Sequence, residues 1–261
     1  TAAYVLPILQ RLLQGPQRRA RALVLCPTRE LAEQILQVFA DLGKRTGLHP
    51  VALYGGAGIH PQISKLRAGA EILVACPGRL LDHLDRRTAN LSHIEVLVID
   101  EADRMFDMGF LPDVRRIINV LPKARQTLLF SATMPDDIRR LAHDILRHPI
   151  TVQIENALPP ATVTHALYPI QQDQKTSLLL AMLAHIDRES VLVFTRTRRR
   201  AERLTRQLIN AGHKTTSLQG NLSQNNRKAA MEGFRSGAYH IMVATDIASR
   251  GIDLKGIELV I

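Results

Sequence analysis

Short aliphatic runs, each closed by small or charged residues, recur along this chain. The sharpest, Ile94-Glu95-Val96-Leu97-Val98-Ile99-Asp100, leads straight into Glu101, Ala102 and Asp103. A β-branched run bounded by polar residues reads as a strand covered on both faces, as in a parallel sheet. Similar runs predict strands at Ala22–Cys26, Pro50–Tyr54, Glu71–Cys76, Gln126–Phe130, Ile150–Ile154, His165–Ile170, Ser190–Thr195, Lys214–Leu218, His240–Thr245 and Glu258–Ile261. Helical spacing fills the intervals. It runs over Thr1–Leu13, with a stripe of Val5, Leu6, Leu9, Leu12 and Leu13, and then from Arg29 to Leu42, with Thr28 as cap and Glu30 in the first turn. Further helices are expected at His60–Ala68, Leu80–Arg87, Leu111–Val120, Pro135–Leu146, Gln174–Ile186, before Ala211, and at Ser223–Arg235. This alternation predicts a doubly wound α/β architecture.

The alternation breaks once, at Glu155–Thr164, where two adjacent prolines interrupt a segment with neither period. That segment reads as a linker between domains at 1–154 and 165–261. The halves resemble each other in register: Ala22–Leu25 matches Val191–Phe194, and Ile72–Ala75 matches Ile241–Ala244, both 169 residues apart. A shared offset points to duplication. The chain opens in mid-helix without a cap and closes within a strand, so both domains are expected to be truncated.

Composition narrows the partner. The net charge is +10, with 20 Lys and Arg against 16 Asp and Glu up to Glu155 and 14 against 8 after it. The excess is shared by both halves, as suits a polyanion crossing both. Aromatic residues are 4% with no Trp, so contacts to a nucleic-acid backbone are expected rather than base stacking. No apolar run is long enough to span a membrane and no signal peptide opens the chain. Cys26 and Cys76 lack metal-site spacing, which predicts free thiols and a cytoplasmic setting.

The chemistry-bearing residues all follow strands. They are Pro27-Thr28-Arg29, Gly55-Gly56, Pro77-Gly78-Arg79, Asp100-Glu101 and Ser131-Ala132-Thr133, then Thr195, Gly220 and Thr245-Asp246. Open parallel sheets bind ligands at this edge, where backbone N–H groups and helix N-termini suit phosphates. Arg29 and Arg79 add forked donors. Adjacent carboxylates at a strand end suit a divalent metal and an activated water, although an acidic turn would look alike in isolation.

Taken together these motifs resemble the two-domain core of DEAD-box ATP-dependent RNA helicases, closest in wording to the bacterial RhlE-like group. The matches include Pro27-Thr28-Arg29-Glu30-Leu31-Ala32, Asp100-Glu101-Ala102-Asp103, Ser131-Ala132-Thr133, Gln224-x-x-Arg227 and Ala244-Thr245-Asp246 through Asp253. The resemblance implies tandem RecA-like domains with parallel sheets that close around ATP, Mg²⁺ and single-stranded RNA. It implies that Asp100 holds Mg²⁺ through water, that Glu101 orients or deprotonates the attacking water, and that Asp103 bonds to Ser131 and Thr133. Thr1, Arg250 and Asp253 would meet ATP. Pro27, Thr28, Arg29, Gly55, Gly56, Pro77, Gly78 and Arg79 would line one RNA track, with Arg227 and Thr245 on the other domain.

Cys76 stands where the family usually has Thr, and Gln219 where it usually has His. Thr1 resembles the last residue of the family's Gly-Lys-Thr phosphate loop, and the chain stops before the family's final arginine motif. On that reading this stretch alone is expected to turn over negligible ATP. Two other readings remain open: an RNA-clamping scaffold without turnover, and a translocase on double-stranded DNA.

Overall fold

Each strand expected from the aliphatic runs before Phe130 forms and pairs in parallel. In a computed structural model describing residues 1–153, 163–185, 190–220, 222–245 and 256–261, β1 is Ala22–Leu25, β2 Pro50–Leu53, β3 Ile72–Ala75, β4 Val96–Ile99 and β5 Gln126–Leu129. They form one sheet in the order β2-β3-β1-β4-β5. Side chains alternate across a strand, so each run supplies two cores. Leu23, Leu25, Leu73, Leu97 and Ile99 face one of them. Ala22, Val24, Ile72, Val74, Val96 and Val98 face the other. Burial on both faces explains why these strands show no polar alternation.

The helices of this half are α1 (Ala2–Leu12), α2 (Arg29–Leu42), α3 (Ile59–Ala68), α4 (Pro77–Asp85), α5 (Ala102–Asp107), α6 (Leu111–Val120) and α7 (Asp136–Ile145). Thr28 caps α2 by accepting from Leu31 N at 3.3 Å. Helix α4 starts three residues earlier than expected, because Pro77 fits a first helical position where no N–H is needed. The stripe expected on α1 is corrected. Tyr4, Val5, Ile8, Leu9 and Leu12 are buried, whereas Leu6 is 54% and Leu13 57% exposed. The 3.6-residue period places 4, 5, 8, 9 and 12 on one face and turns 6 and 13 outward.

The second half contains α8 (Lys175–His185), β6 (Val191–Thr195), α9 (Arg198–Asn210), β7 (Thr215–Leu218), α10 (Gln224–Arg235), β8 (Ile241–Thr245) and β9 (Leu259–Val260). Its parallel sheet runs β7-β8-β6-β9. That is the order β2-β3-β1-β4 again. Ala22 pairs with Ile72 and Val191 with Ile241, so the shared sequence offset marks equivalent strands. The chain divides into compact units at Thr1–His148 and Pro149–Ile261.

Two expected strands do not form. Residues 151–153 have no regular structure, with Ile150 91% and Val152 84% exposed. Residues 163–170 likewise pair with no strand among the described residues, and Leu167 is 92% exposed. An apolar run becomes a strand only where a sheet edge accepts its backbone, and neither run meets one among the described residues. The central stretch of the expected linker, at 155–162, lies outside the described residues.

Candidate functional site

The chain passes from β1 to β2 and β3 on one side, then crosses to β4 and β5 on the other, so β1 and β4 flank the switch point of the first sheet. Ligands of open α/β sheets bind beside that point, at the carboxyl ends. Asp100 sits there. Its backbone N–H donates to Leu25 O on β1 at 2.9 Å. Its Oδ2 accepts from the Tyr4 hydroxyl at 2.8 Å, and its Oδ1 accepts from Glu101 N at 3.0 Å. A carboxylate offers about four lone-pair directions, so each oxygen keeps capacity for a further donor or a hydrated cation.

Glu101 has φ 52° and ψ 52°, a left-handed conformation rare for a residue with a Cβ. Strain of this kind, of order 1–3 kcal/mol, persists where surrounding bonds fix it. Ala102 N donates to Phe130 O at 3.0 Å, and Met105 N donates to Glu101 O at 3.0 Å, so both sides of the turn are held. The Glu101 side chain accepts from Arg104 at 2.8 and 2.9 Å. Burial raises its pKa above the ordinary range. Arg104 opposes that shift, while Asp100 and Asp103 add to it. A carboxylate whose pKa is shifted upward at a sheet edge accepts a proton more readily than an ordinary one.

Asp103 faces the loop after β5. Its Oδ2 accepts from Thr133 N at 2.9 Å and Thr133 Oγ1 at 2.8 Å. Its backbone N–H donates to Ser131 Oγ at 3.1 Å, and that hydroxyl donates to Thr133 O at 2.7 Å. Burial alone would raise its pKa. The bonds from Thr133, Arg104 N and Ser131 outweigh burial and hold the carboxyl below its usual range.

The basic and glycine positions gather on the other side of the same edge. The Arg29 guanidinium lies over Gly56, where an added Cβ would come within 2.7 Å of it and where φ is +79°. Gly56 is therefore favoured by its backbone conformation, whereas the Arg29 fork above it is the end of a flexible side chain that can move aside. Gly55 and Gly78 face open space, which leaves their backbones accessible. Arg79 donates to Ala57 O at 3.1 Å, tying the first turn of α4 to the loop after β2. Pro27 and Thr28 are buried and shape the entry to α2, while Thr1 stands exposed at the N-cap of α1.

In the second unit, Thr245 ends β8 and Arg227 lies in the first turn of α10, both buried. Thr195 Oγ1 lies 3.4 Å from Ala244 O, joining the ends of β6 and β8. Gln219 is buried and donates from Nε2 to Glu202 at 2.8 Å, so it braces the end of β7 against α9. Arg250 and Asp253 lie outside the described residues.

Residues 1–141 match the family model described as DEAD/DEAH box helicase, and residues 174–261 match the helicase conserved C-terminal domain. The chain belongs to the DEAD/DEAH box helicase family. It is 40% identical to the ATP-dependent RNA helicase DeaD of Buchnera aphidicola (strain APS), over all of this chain and 43% of that protein. It is 38% identical to the helicase RhpA of Helicobacter pylori (strain B128), over 99% of this chain and 52% of that one. The chain thus spans about half the length of the curated relatives it matches. Among solved structures it resembles Saccharomyces cerevisiae Dbp5 bound to RNA and ADP BeF3, with TM-score 0.83 and 28% identity over 99% of this chain and 66% of that one. A DEAD box protein from Methanococcus jannaschii matches with TM-score 0.53 and 33% identity, over 98% and 70%.

Within the DEAD-box core, one contact to the expected site residues leaves no mark in the sequence. Tyr4 lies outside the apolar stripe expected of its helix, yet its hydroxyl bonds Asp100 and its ring lies 5.3 Å from that of Phe130, just before Ser131. Burial and then the Asp100 carboxylate push its phenol well above the ordinary value, so it remains a donor. A hydrogen bond to a charged group contributes about 1.5–3 kcal/mol. Tyr4→Phe is expected to lower unfolding free energy by about 1–2 kcal/mol, read from denaturant midpoints at constant slope. In an Asp100→Asn background the same change should cost much less; equal costs would mean that the bond is not the cause.

Cys76 occupies the N-cap of α4 and makes no side-chain cap bond. Cys76→Thr would add a capping hydroxyl, so a gain of about 0.5–1 kcal/mol is expected by thermal unfolding.

Proposed function

We propose that this chain is the core of an ATP-dependent RNA helicase, in which nucleotide hydrolysis is coupled to RNA binding and local strand separation. The bond set joining Asp103 to Ser131 and Thr133 carries the reading, because it ties the carboxylate turn after β4 to the loop after β5. Family membership and relatives named as ATP-dependent RNA helicases support it.

In this reading Asp100 holds Mg²⁺ through water. Magnesium keeps several waters and takes one or two carboxylates, so an Asp100 with spare capacity on both oxygens suits it. When bound, the ion supplies neutralisation of charge on the phosphate oxygens. Tyr4 and Glu101 N fix the Asp100 carboxylate before nucleotide arrives. Glu101 releases Arg104, orients the attacking water and takes its proton. Asp103 senses the position of Ser131 and Thr133. Thr1, Arg250 and Asp253 contact the nucleotide.

Thr28, Arg29, Gly55, Gly56, Gly78 and Arg79 hold one stretch of RNA backbone, with Pro27 and Pro77 setting the turns. Arg227 and Thr245 hold the next. Contacts of this kind distinguish RNA through its 2′-hydroxyl rather than its sequence. Residues 155–164 join the two domains.

Phosphate release from this chain and from the full-length protein, with and without RNA, tests the reading. Stimulation of the full-length protein by RNA but not by a DNA oligonucleotide is expected. RNA binding without any turnover would favour the clamping scaffold, and equal stimulation by DNA would favour a translocase.

A further inference from the structure

Helix α9 carries Arg198, Arg199, Arg200, Arg203 and Arg206 within 13 residues, against a single acid, Glu202. Its inner face buries Ala201, Leu204, Thr205 and Leu208. At 3.6 residues per turn, Arg199, Arg203, Arg206 and Asn210 fall on one stripe of the opposite face, and all four are exposed. A shallow groove of about 310 Å³ follows the stripe, lined by these four with Glu202 and Gln207. Glu202 accepts from Gln219, and no described carboxylate lies within ion-pair distance of Arg199, Arg203 or Arg206. Three exposed guanidinium groups in line repel each other, so the arrangement raises the free energy of the unbound protein unless a polyanion lies against it.

The position of the stripe indicates which polyanion. Thr197 caps α9 immediately after β6, so the stripe begins at the carboxyl edge of the second sheet. Arg198 lies over Gly220 at the same edge, where an added Cβ would come within 3.2 Å of its guanidinium. From Arg199 to Asn210 the helix then descends away from that edge for about 16 Å. Double-stranded DNA presents one negative charge per about 1.7 Å of its axis, or roughly nine over that length, and an A-form RNA duplex is at least as densely charged. Arginine suits phosphate because its forked donors meet two oxygens at once, while Gln207 and Asn210 offer uncharged donors to sugar hydroxyls. The groove lining contains no aromatic or aliphatic side chain, so it lacks the buried anchor on which protein–protein hot spots are built.

We propose that the outer stripe of α9, centred on Arg203 and Arg206, holds the phosphate backbone of a duplex arm of the RNA substrate, beyond the strand-end residues that grip the single strand. This rests on the RNA-binding reading above and adds a second surface to it. The surface acts on RNA that continues past the sheet edge and leaves a short strand unaffected.

The test is equilibrium binding of the full-length protein, with a non-hydrolysable ATP analogue, to a short single-stranded RNA and to the same strand carrying a duplex arm, over a salt series. The Arg203→Ala/Arg206→Ala variant is expected to bind the armed RNA about 10-fold more weakly. Its slope of log affinity against log salt should be shallower by about 1.5–2, as for removal of two phosphate-binding cations. Binding of the short strand should not change. Arg203→Lys/Arg206→Lys should retain the wild-type slope, which separates an effect of charge from an effect on folding. Unchanged affinity and slope on the armed RNA would overturn the proposal, as would an equal loss on both RNAs. If the wild-type protein bound neither RNA, the RNA reading itself would fail first, and that outcome is visible before any variant is compared.

Discussion

Replacing Glu101 with Gln is expected to lower RNA-stimulated phosphate release by about 10²–10⁴-fold, the range contributed by a positioned general base, with RNA binding retained. Gln keeps the size and hydrogen-bonding reach of Glu but cannot take a proton. The backbone at Glu101 is held left-handed by the bonds from Ala102 N to Phe130 O and from Met105 N to Glu101 O, and neither involves the side chain. The turn therefore survives the substitution. What the substitution removes is the ion pair with Arg104, both partners of which are partly exposed. Such pairs contribute about 0–1 kcal/mol, too little to account for a large loss of turnover through unfolding. Single-turnover hydrolysis of the full-length variant checks the point. A rate within a few-fold of wild type would remove Glu101 from the proton-transfer role.

Asp103→Ala should act differently. Its carboxylate accepts two bonds from Thr133, and charge-assisted bonds contribute about 1.5–3 kcal/mol each. Losing them frees the loop of Ser131 and Thr133 from the carboxylate turn. Strand separation is expected to fall about 10–100-fold, while phosphate release without RNA changes by only a few-fold. Comparing unwinding with basal hydrolysis separates the two effects, and a parallel fall in both would mean that Asp103 serves the chemistry directly. The same carboxylate carries a pH signature. Its folded pKa lies below the unfolded value of about 3.9. Its stabilisation is therefore complete above that value and disappears as pH falls through the lower folded pKa. Thermal unfolding of wild type should decline more steeply below about pH 4 than that of Asp103→Asn.

The parts of this molecule that sequence shows best are those fixed locally. The runs at Ala22–Leu25, Ile72–Ala75 and Val96–Ile99 leave no polar face, so only a doubly covered parallel strand accommodates them. Ordered motifs at strand carboxyl ends bring Asp100-Glu101 and Ser131-Ala132-Thr133 to one sheet edge, and the family resemblance adds the bonds from Asp103 to Ser131 and Thr133. Long-range geometry is less visible. The bond from Tyr4 to Asp100 spans 96 residues, and in sequence Tyr4 resembles any other buried aromatic residue of a helix. The failed strands at 150–153 and 165–170 show the converse. Their local pattern matches a strand, but no described edge receives them. Helix α5 leaves no mark on the pattern because its six residues, Ala102–Asp107, are too short to display a period.

The strand order β2-β3-β1-β4, repeated as β7-β8-β6-β9, has a consequence for how the chain reaches its native state. Ala22-Leu23-Val24-Leu25 and Val191-Leu192-Val193-Phe194 both pair in register with a β3-type strand, so each could add to the other unit's unfinished sheet. Refolding from denaturant presents all of these strands together, which favours misassembly between the halves. Synthesis on a ribosome does not. About sixty residues separate β5 from β6, or roughly 3–12 s of elongation at ~5–20 residues per second. That interval lets the first sheet close before its rival strands exist.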